Sequence, residues 1–285
     1  MTNYVKTALL LGLMTGLVLV IGQLIGGSSG MLVALIFAAI MNFAAYFYSD
    51  KIALASYGAR EVTREEAPDL FRMIESLTQR AGLPMPRVYM IPTDAANAFA
   101  TGRNPQHAAV AVTEGILRLL SYEELQGVIA HELSHVQNRD ILISSVAATL
   151  AGAIMWISNM ARFAAIFGGY GDREERQGGA LGFLFTIIVA PIAALLIQMW
   201  VSRTREYAAD STGAQLAGNP YGLAHALEKL QAASKSTPLQ ASESTAHLFI
   251  VKPFSAGFLL NLFSTHPPIE KRIERLIGRS GTLSY

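Results

Sequence analysis

Apolar positions fall into four long blocks. Residues 7–27 and 31–48 carry no charge, residues 142–167 carry only Arg162, and residues 180–201 are uncharged with Pro191 inside them. A helix crossing the ~30 Å hydrocarbon core of a bilayer needs about 20 apolar residues, so the pattern predicts four transmembrane helices. Gly26-Gly-Ser-Ser-Gly30 between the first two reads as a hairpin turn. Only Lys6 precedes the first block, so it is expected to be a retained anchor rather than a cleaved leader. The third and fourth blocks contain Ser144, Ser145, Asn159 and Gln198, which protein is expected to shelter from lipid in part.

Shorter periods fill the chain between these blocks. Thr63-Arg-Glu-Glu66 fits a capping box, and Leu70, Phe71, Ile74, Leu77 and Ala81 follow a helical stripe that Gly82-Leu-Pro84 ends. Residues 87–91, 98–101 and 108–113 read as short strands, with turn chemistry at Gly102-Arg-Asn-Pro105. Ser121-Tyr-Glu-Glu124 is a second capping box and opens another helix. Helices are also expected over 206–216, from Asn219-Pro220 onward, and over 268–277, with a polar loop over 234–244. There is no internal repeat.

Composition narrows the function. Of 285 residues, 52% are hydrophobic and 15% charged, against about a quarter charged in ordinary soluble domains. The net charge of +1 offers nucleic acid no basic surface. The absence of cysteine excludes disulfide scaffolds, Cys-ligated metals and thiol catalysis. Nine of the 22 Lys and Arg lie in residues 49–141 and nine in 202–285, whereas the 26–30 turn has none. By the positive-inside rule both polar blocks and both termini are cytoplasmic. The expected division is an N-terminal transmembrane hairpin (1–48), the first part of a split polar domain (49–141), a second transmembrane hairpin (142–201) and the second part of that domain (202–285).

The candidate chemistry sits on the Ser121 helix, at His131-Glu132-Leu133-Ser134-His135. Two imidazoles at i and i+4 share one helical face and can reach one metal ion, while Glu132 is placed to take a proton from water rather than to bind. A chain with six histidines contains H-E-x-x-H by chance about 0.007 times. A catalytic zinc takes three protein ligands, and Glu206-Tyr-Ala-Ala-Asp210 offers two carboxylates one turn apart. Glu206 is the candidate third ligand, and Asp210 the candidate acceptor for a ligand imidazole's N–H. E-x-x-x-D alone is a weak signal and gains weight only as the partner that the two histidines require. Arg203 and Arg205 fit positive-inside anchors at a membrane exit, the reading preferred for Arg203, beside the alternative of a role against substrate or behind a metal ligand; His107, His225 and His247 read as ordinary.

These motifs, followed by His266-Pro-Pro268 and preceded by the leading hairpin, resemble across essentially the whole chain the HtpX-type integral-membrane zinc metalloproteases, relatives of the CaaX prenyl endopeptidases. The resemblance implies one Zn2+ per chain on His131, His135 and Glu206, with Glu132 as base. It also implies cleavage of misfolded and membrane proteins, a quality-control role, at the cytoplasmic face of the bacterial inner membrane. Asn97-Ala98-Phe99 matches a segment that in such proteins lies on the substrate-binding edge. His266 carries two readings: a residue before the Pro267-Pro268 helix start, and a donor to the oxyanion that gluzincin-like sites need from outside the metal ligands. The expected fold is mainly α, with four transmembrane helices and a split α+β gluzincin-like peptidase domain holding a small sheet. The expected partners are the lipid bilayer and protein or peptide substrates. Two other functions fit the motifs: a membrane scaffold with a structural zinc, and a zinc hydrolase that is not a protease. Glu132 between the two ligands argues against the scaffold, and the candidate substrate strand argues for peptides.

Overall fold

A computed structural model describes residues 3–146, 149–150, 203–236 and 267–278. Helix α1 (Asn3–Ser56) is two limbs. Gly26 (φ −132°, ψ 19°) and Gly27 (φ 57°, ψ −143°) leave the helical region and fold one limb back on the other. The limbs touch where side chains are smallest. A Cβ on Gly22 would sit 2.4 Å from the Ala34 Cβ and 2.6 Å from the Gly30 carbonyl oxygen, and Asn42 Nδ2 donates to Thr15 Oγ1 at 2.8 Å. Small residues and a polar cross-link are how helices associate in lipid. The turn is tighter than the five residues expected, because Ser28, Ser29 and Gly30 already belong to the second limb, which runs past Tyr48 to Ser56.

Among the described residues, Gly26–Ser56 (31 residues) is the one helix long and apolar enough to cross a membrane, and Val5–Val20 is apolar but shorter. Leu32, Val33, Ile36, Ile40 and Phe43 stay exposed along this limb, as side chains facing lipid do. Of the third apolar block, residues 142–146 and 149–150 are described; all are helical, and Leu142, Val146 and Leu150 bury against Leu10, Met14 and Ala45 of α1. The fourth block lies outside the described residues.

The remaining elements are β1 (Arg60–Glu61), α2 (Pro68–Ala81), β2 (Arg87–Ile91), β3 (Ala98–Thr101), a 3-10 turn (Pro105–His107), β4 (Ala109–Thr113), α3 (Glu114–Leu119), α4 (Tyr122–Gln137), α5 (Arg203–Ala217), α6 (Pro220–Ser236) and α7 (Ile269–Ile277). The strands form one mixed sheet in the order β1-β2-β4-β3, with β2 and β4 parallel and the other pairs antiparallel. Ion pairing fastens the sheet to the membrane limb. Arg87 Nη2 donates to Asp50 Oδ2 at 2.8 Å and Nη1 to the Tyr89 hydroxyl, which donates to Glu61.

Two of the expected starts differ. At Thr63-Arg-Glu-Glu66 the Glu66 carboxylate accepts from the Thr63 N–H at 2.8 Å, yet the helix begins at Pro68. Proline has no N–H to give and its fixed φ suits the first helical position, so the chain turns once and restarts there. Short helix α3, capped by Thr113 Oγ1 on the Ile116 N–H, and strand β1 were not expected from the sequence.

The core lies between the sheet and α4, whose apolar residues Val128, Ile129 and Leu133 are fully buried. Glycines set how close the neighbouring helices come. A Cβ on Gly127 would lie 2.5 Å from the Leu223 backbone N, one on Gly222 would lie 2.5 Å from the Glu123 carbonyl oxygen, and one on Gly213 would lie 2.9 Å from the His131 Cα. Backbone thus meets backbone along α4, with α6 on one flank and α5 on the other.

Candidate metal centre

Helix α4 starts at a complete capping box. Ser121 Oγ accepts from the Glu124 N–H, and the Glu124 carboxylate accepts from the Ser121 N–H. About three and four turns later the helix presents His131 and His135 on one face, their rings 4.8 Å apart and nearly perpendicular. Helix α5 approaches over Gly213 and brings Glu206 and Asp210, on the same face as that glycine, against them. Glu206 Oε2 lies 3.8 Å from His131 Nε2, and Glu206 Oε1 lies 3.6 Å from His135 Nε2. The donor atoms of His131, His135 and Glu206 all fall within 4.8 Å of one another. Two imidazole nitrogens and one carboxylate oxygen, converging with a position left over, fit a catalytic zinc.

A carboxylate and a guanidinium stand behind each histidine. Asp210 Oδ1 is 3.0 Å from His131 Nδ1, at an angle short of a good hydrogen bond. Asp210 is in turn held in a fork by Arg272, with Nε to Oδ2 at 2.8 Å and Nη2 to Oδ1 at 2.6 Å. Arg272 is wholly buried, and its Nη1 also lies 3.9 Å from Glu206 Oε2. Burial alone raises the Asp210 carboxyl, but the Arg272 charge and hydrogen bonds, helped by His131, outweigh it and hold the group at about 2. Behind His135 stands Asp140, with Oδ2 3.3 Å from Nδ1, and Arg205 lies 3.7 Å from Asp140. Burial lowers the His135 imidazole, but Asp140, Glu206 and Glu132 reverse that and lift it to about 9 in the metal-free protein.

Glu132 points toward the sheet. Its Oε2 accepts from the Ala100 N–H of β3 at 2.9 Å. Antiparallel pairs alternate between bonded and open, and the Thr113 N–H donates to the Asn97 carbonyl at 2.9 Å. By the register Phe99↔Ala111 and Thr101↔Ala109, those residues also bond to β4, while Ala98 and Ala100 turn their N–H and C=O to the open edge.

Each sequence-derived site residue can now be located. His131, Glu132, His135, Glu206 and Asp210 come together as above. Asn97, Ala98 and Phe99 sit at the start of the edge strand beside Glu132, but the Phe99 side chain turns away, packing with Ala53, Leu54 and Ile91 and lying 5.6 Å from the Tyr57 ring. His266 lies outside the described residues. Sequence reasoning missed Arg272 and Asp140, and for Arg205 it left a membrane anchor and a place behind a metal ligand both open. The structure favours the second: the Arg205 side chain is 14% exposed and turns inward toward Asp140.

Comparison with known proteins bears on the same residues. The model of peptidase family M48 matches residues 64–280. The chain belongs to peptidase family M48. Curated relatives in it include a "Protease HtpX homolog" of Desulforapulum autotrophicum, 57% identical over 277 residues and covering 97% of this chain and 90% of that one. A second, of Pyrococcus furiosus, is 54% identical over 96% of this chain and 94% of its own length. The chain is thus an M48 metalloprotease of HtpX type. The crystal structure of S. mikatae Ste24p has a similar fold, with a TM-score of 0.55 at 19% identity; the match covers 96% of this M48 chain and 65% of the Ste24p chain.

Proposed function

We propose that this M48 protease is a zinc endopeptidase, with one ion per chain on His131, His135 and Glu206, acting on misfolded or membrane proteins at the cytoplasmic face of a bacterial inner membrane. Convergence of those three donor sets, with the Glu132 carboxylate between them and the open edge of β3, is the observation that carries the reading. Zinc, when bound, supplies a Lewis acid that polarises the scissile carbonyl and acidifies water. Glu132 takes the proton as water attacks and returns it to the leaving amine. The Ala100 N–H orients that carboxylate. His266 is the proposed donor to the oxyanion that forms at the scissile carbonyl.

An extended peptide adds to β3 along Asn97, Ala98 and Phe99, pairing with the main chain at Ala98. The inward packing of Phe99 supports a backbone role for this segment, with little demand on substrate sequence. Four spanning helices, two catalytic parts (49–141 and 202–285) on the cytoplasmic side and both termini inside complete the proposal, resting on the charge distribution and the apolar blocks. Metal analysis of detergent-purified protein, with casein cleavage measured with and without chelator, tests it. One zinc per chain and chelator-sensitive cleavage are expected; cleavage that persists at full rate after the metal is stripped would refute it.

A further inference from the structure

Helix α4 does not simply stop after its second histidine. Arg139 follows in the left-handed region at φ 58°, the one such non-glycine residue among those described. A side chain there is strained, and the turn it makes has a specific product. The Asp140 N–H comes back onto the His135 carbonyl at 2.8 Å, and the Asp140 carboxylate lands 3.3 Å from His135 Nδ1. Asp140 is only 4% exposed. Arg205, directly before ligand Glu206, brings a cation to within 3.7 Å of the same carboxylate. The set His135–Asp140–Arg205 therefore parallels the set His131–Asp210–Arg272, with the guanidinium farther from its carboxylate (3.7 Å against 2.6 Å).

We infer that Asp140, with Arg205 behind it, is a positioning residue for His135. Its carboxylate accepts the Nδ1 proton, fixes the tautomer and turns Nε2 toward the metal. Imidazole ligands need such a partner, since a ring free to rotate or to change tautomer binds metal less well. The inference rests on the zinc reading above. It adds a mechanical consequence. Asp140 immediately precedes the helical residues 141–146, two of which pack on α1, and Arg205 lies in the first turn of α5. The contact that orients His135 thus also ties the chain just after α4 to the first turn of α5.

The test uses full-length protein in detergent, with zinc affinity from chelator competition, the visible spectrum of the cobalt(II)-loaded form, and melting of the metal-free form. Asp140→Asn keeps an acceptor of the same shape, and Asp140→Ala removes it. Zinc affinity is expected to fall on the order of 10–100-fold for Asp140→Ala and less for Asp140→Asn. The cobalt bands should shift in both, and the metal-free melting temperature of Asp140→Asn should stay near wild type. Wild-type affinity and unchanged cobalt bands in Asp140→Ala would overturn the inference. So would a loss of metal-free stability in Asp140→Asn large enough to account for its loss of zinc. His135→Ala separates this from the reading beneath it: wild-type zinc binding in that variant would overturn the ligand set itself, whatever Asp140 does.

Discussion

Gly213→Ala is a one-carbon change that tests how the centre is assembled. Gly213 follows Asp210 by three residues and Glu206 by seven, so all three share the face of α5 that meets α4. A Cβ there would lie 2.9 Å from both Cα and N of His131 and 3.2 Å from the carbonyl carbon of Ala130. Ordinary carbon contacts are about 3.5–4.0 Å, so the two helices must part by roughly 0.6 Å or more. Overpacking of this kind costs about 1–3 kcal/mol, and alanine's better helix propensity returns up to ~1 kcal/mol. The net loss of stability, about 1 kcal/mol, is one the fold survives. Metal ligation is less forgiving, because bond lengths hold to about 0.2 Å and the shift moves Glu206 away from both imidazoles together. Zinc affinity is therefore expected to drop more than tenfold, with casein cleavage falling alongside, in a protein that still melts cooperatively. Gly222→Ala is the control. It crowds the Glu123 carbonyl at 2.5 Å, near the start of α4 and away from the ligands, so it should lose stability and keep its zinc. Wild-type zinc affinity in Gly213→Ala, or equal zinc loss in both variants, would refute the reasoning.

The other predictions concern chemistry and topology. Glu132→Gln should keep zinc and fold while cleavage falls ~10²–10⁴-fold; a rate above a tenth of wild type contradicts its role as base. Glu206→Gln should lose zinc and proteolysis together, whereas Asp210→Asn should still bind zinc about 10–100-fold more weakly, with excess zinc restoring activity in part; full occupancy in Glu206→Gln would remove it from the ligand set. His135 titrates near 9 without metal and must be neutral to bind, so zinc affinity should rise with pH by up to about one log unit per pH unit until about 9. The same raised value favours the metal-free fold at pH below the ordinary ~6.5 of histidine, a contribution lost as pH climbs through about 9; a flat affinity between pH 7 and 9 would contradict this assignment. A reporter active only outside the cytoplasm should score at Ser28 and be silent at Tyr285; activity at the C-terminus would overturn the proposed orientation.

What could be read from the sequence was what repeats at short range. H-E-x-x-H and E-x-x-x-D are spacings within single helices, and the capping box at Ser121 and the proline at 220 mark starts that the structure reproduces. The strands at 87–91 and 98–101 appear with the expected bounds because turn residues bracket them. Arg272 was illegible for the opposite reason. An arginine in a charged helix looks solvated, and only the folded chain carries it 62 residues back to Asp210. Asp140 lies close in sequence to His135, yet its role depends on Arg139 taking a left-handed φ that no pattern announces for arginine. Phe99 was placed on the right strand, but a strand reading alone does not say which neighbours its side chain packs against. Gly213 looked like an unremarkable small residue in a helix until the neighbouring backbone was known.

Arg272 also bears on when the enzyme becomes one. The hydrolytic motif ends at residue 135, but its distant arginine is 141 positions beyond His131. While the chain is still being made, Asp210 lacks the guanidinium that offsets its burial, and Glu206 lacks the same cation nearby. The protein being synthesised thus carries the metal-binding letters long before it carries a stable centre. The cation that steadies Asp210 and Glu206 is supplied from α7, only after the other residues of the centre have been made.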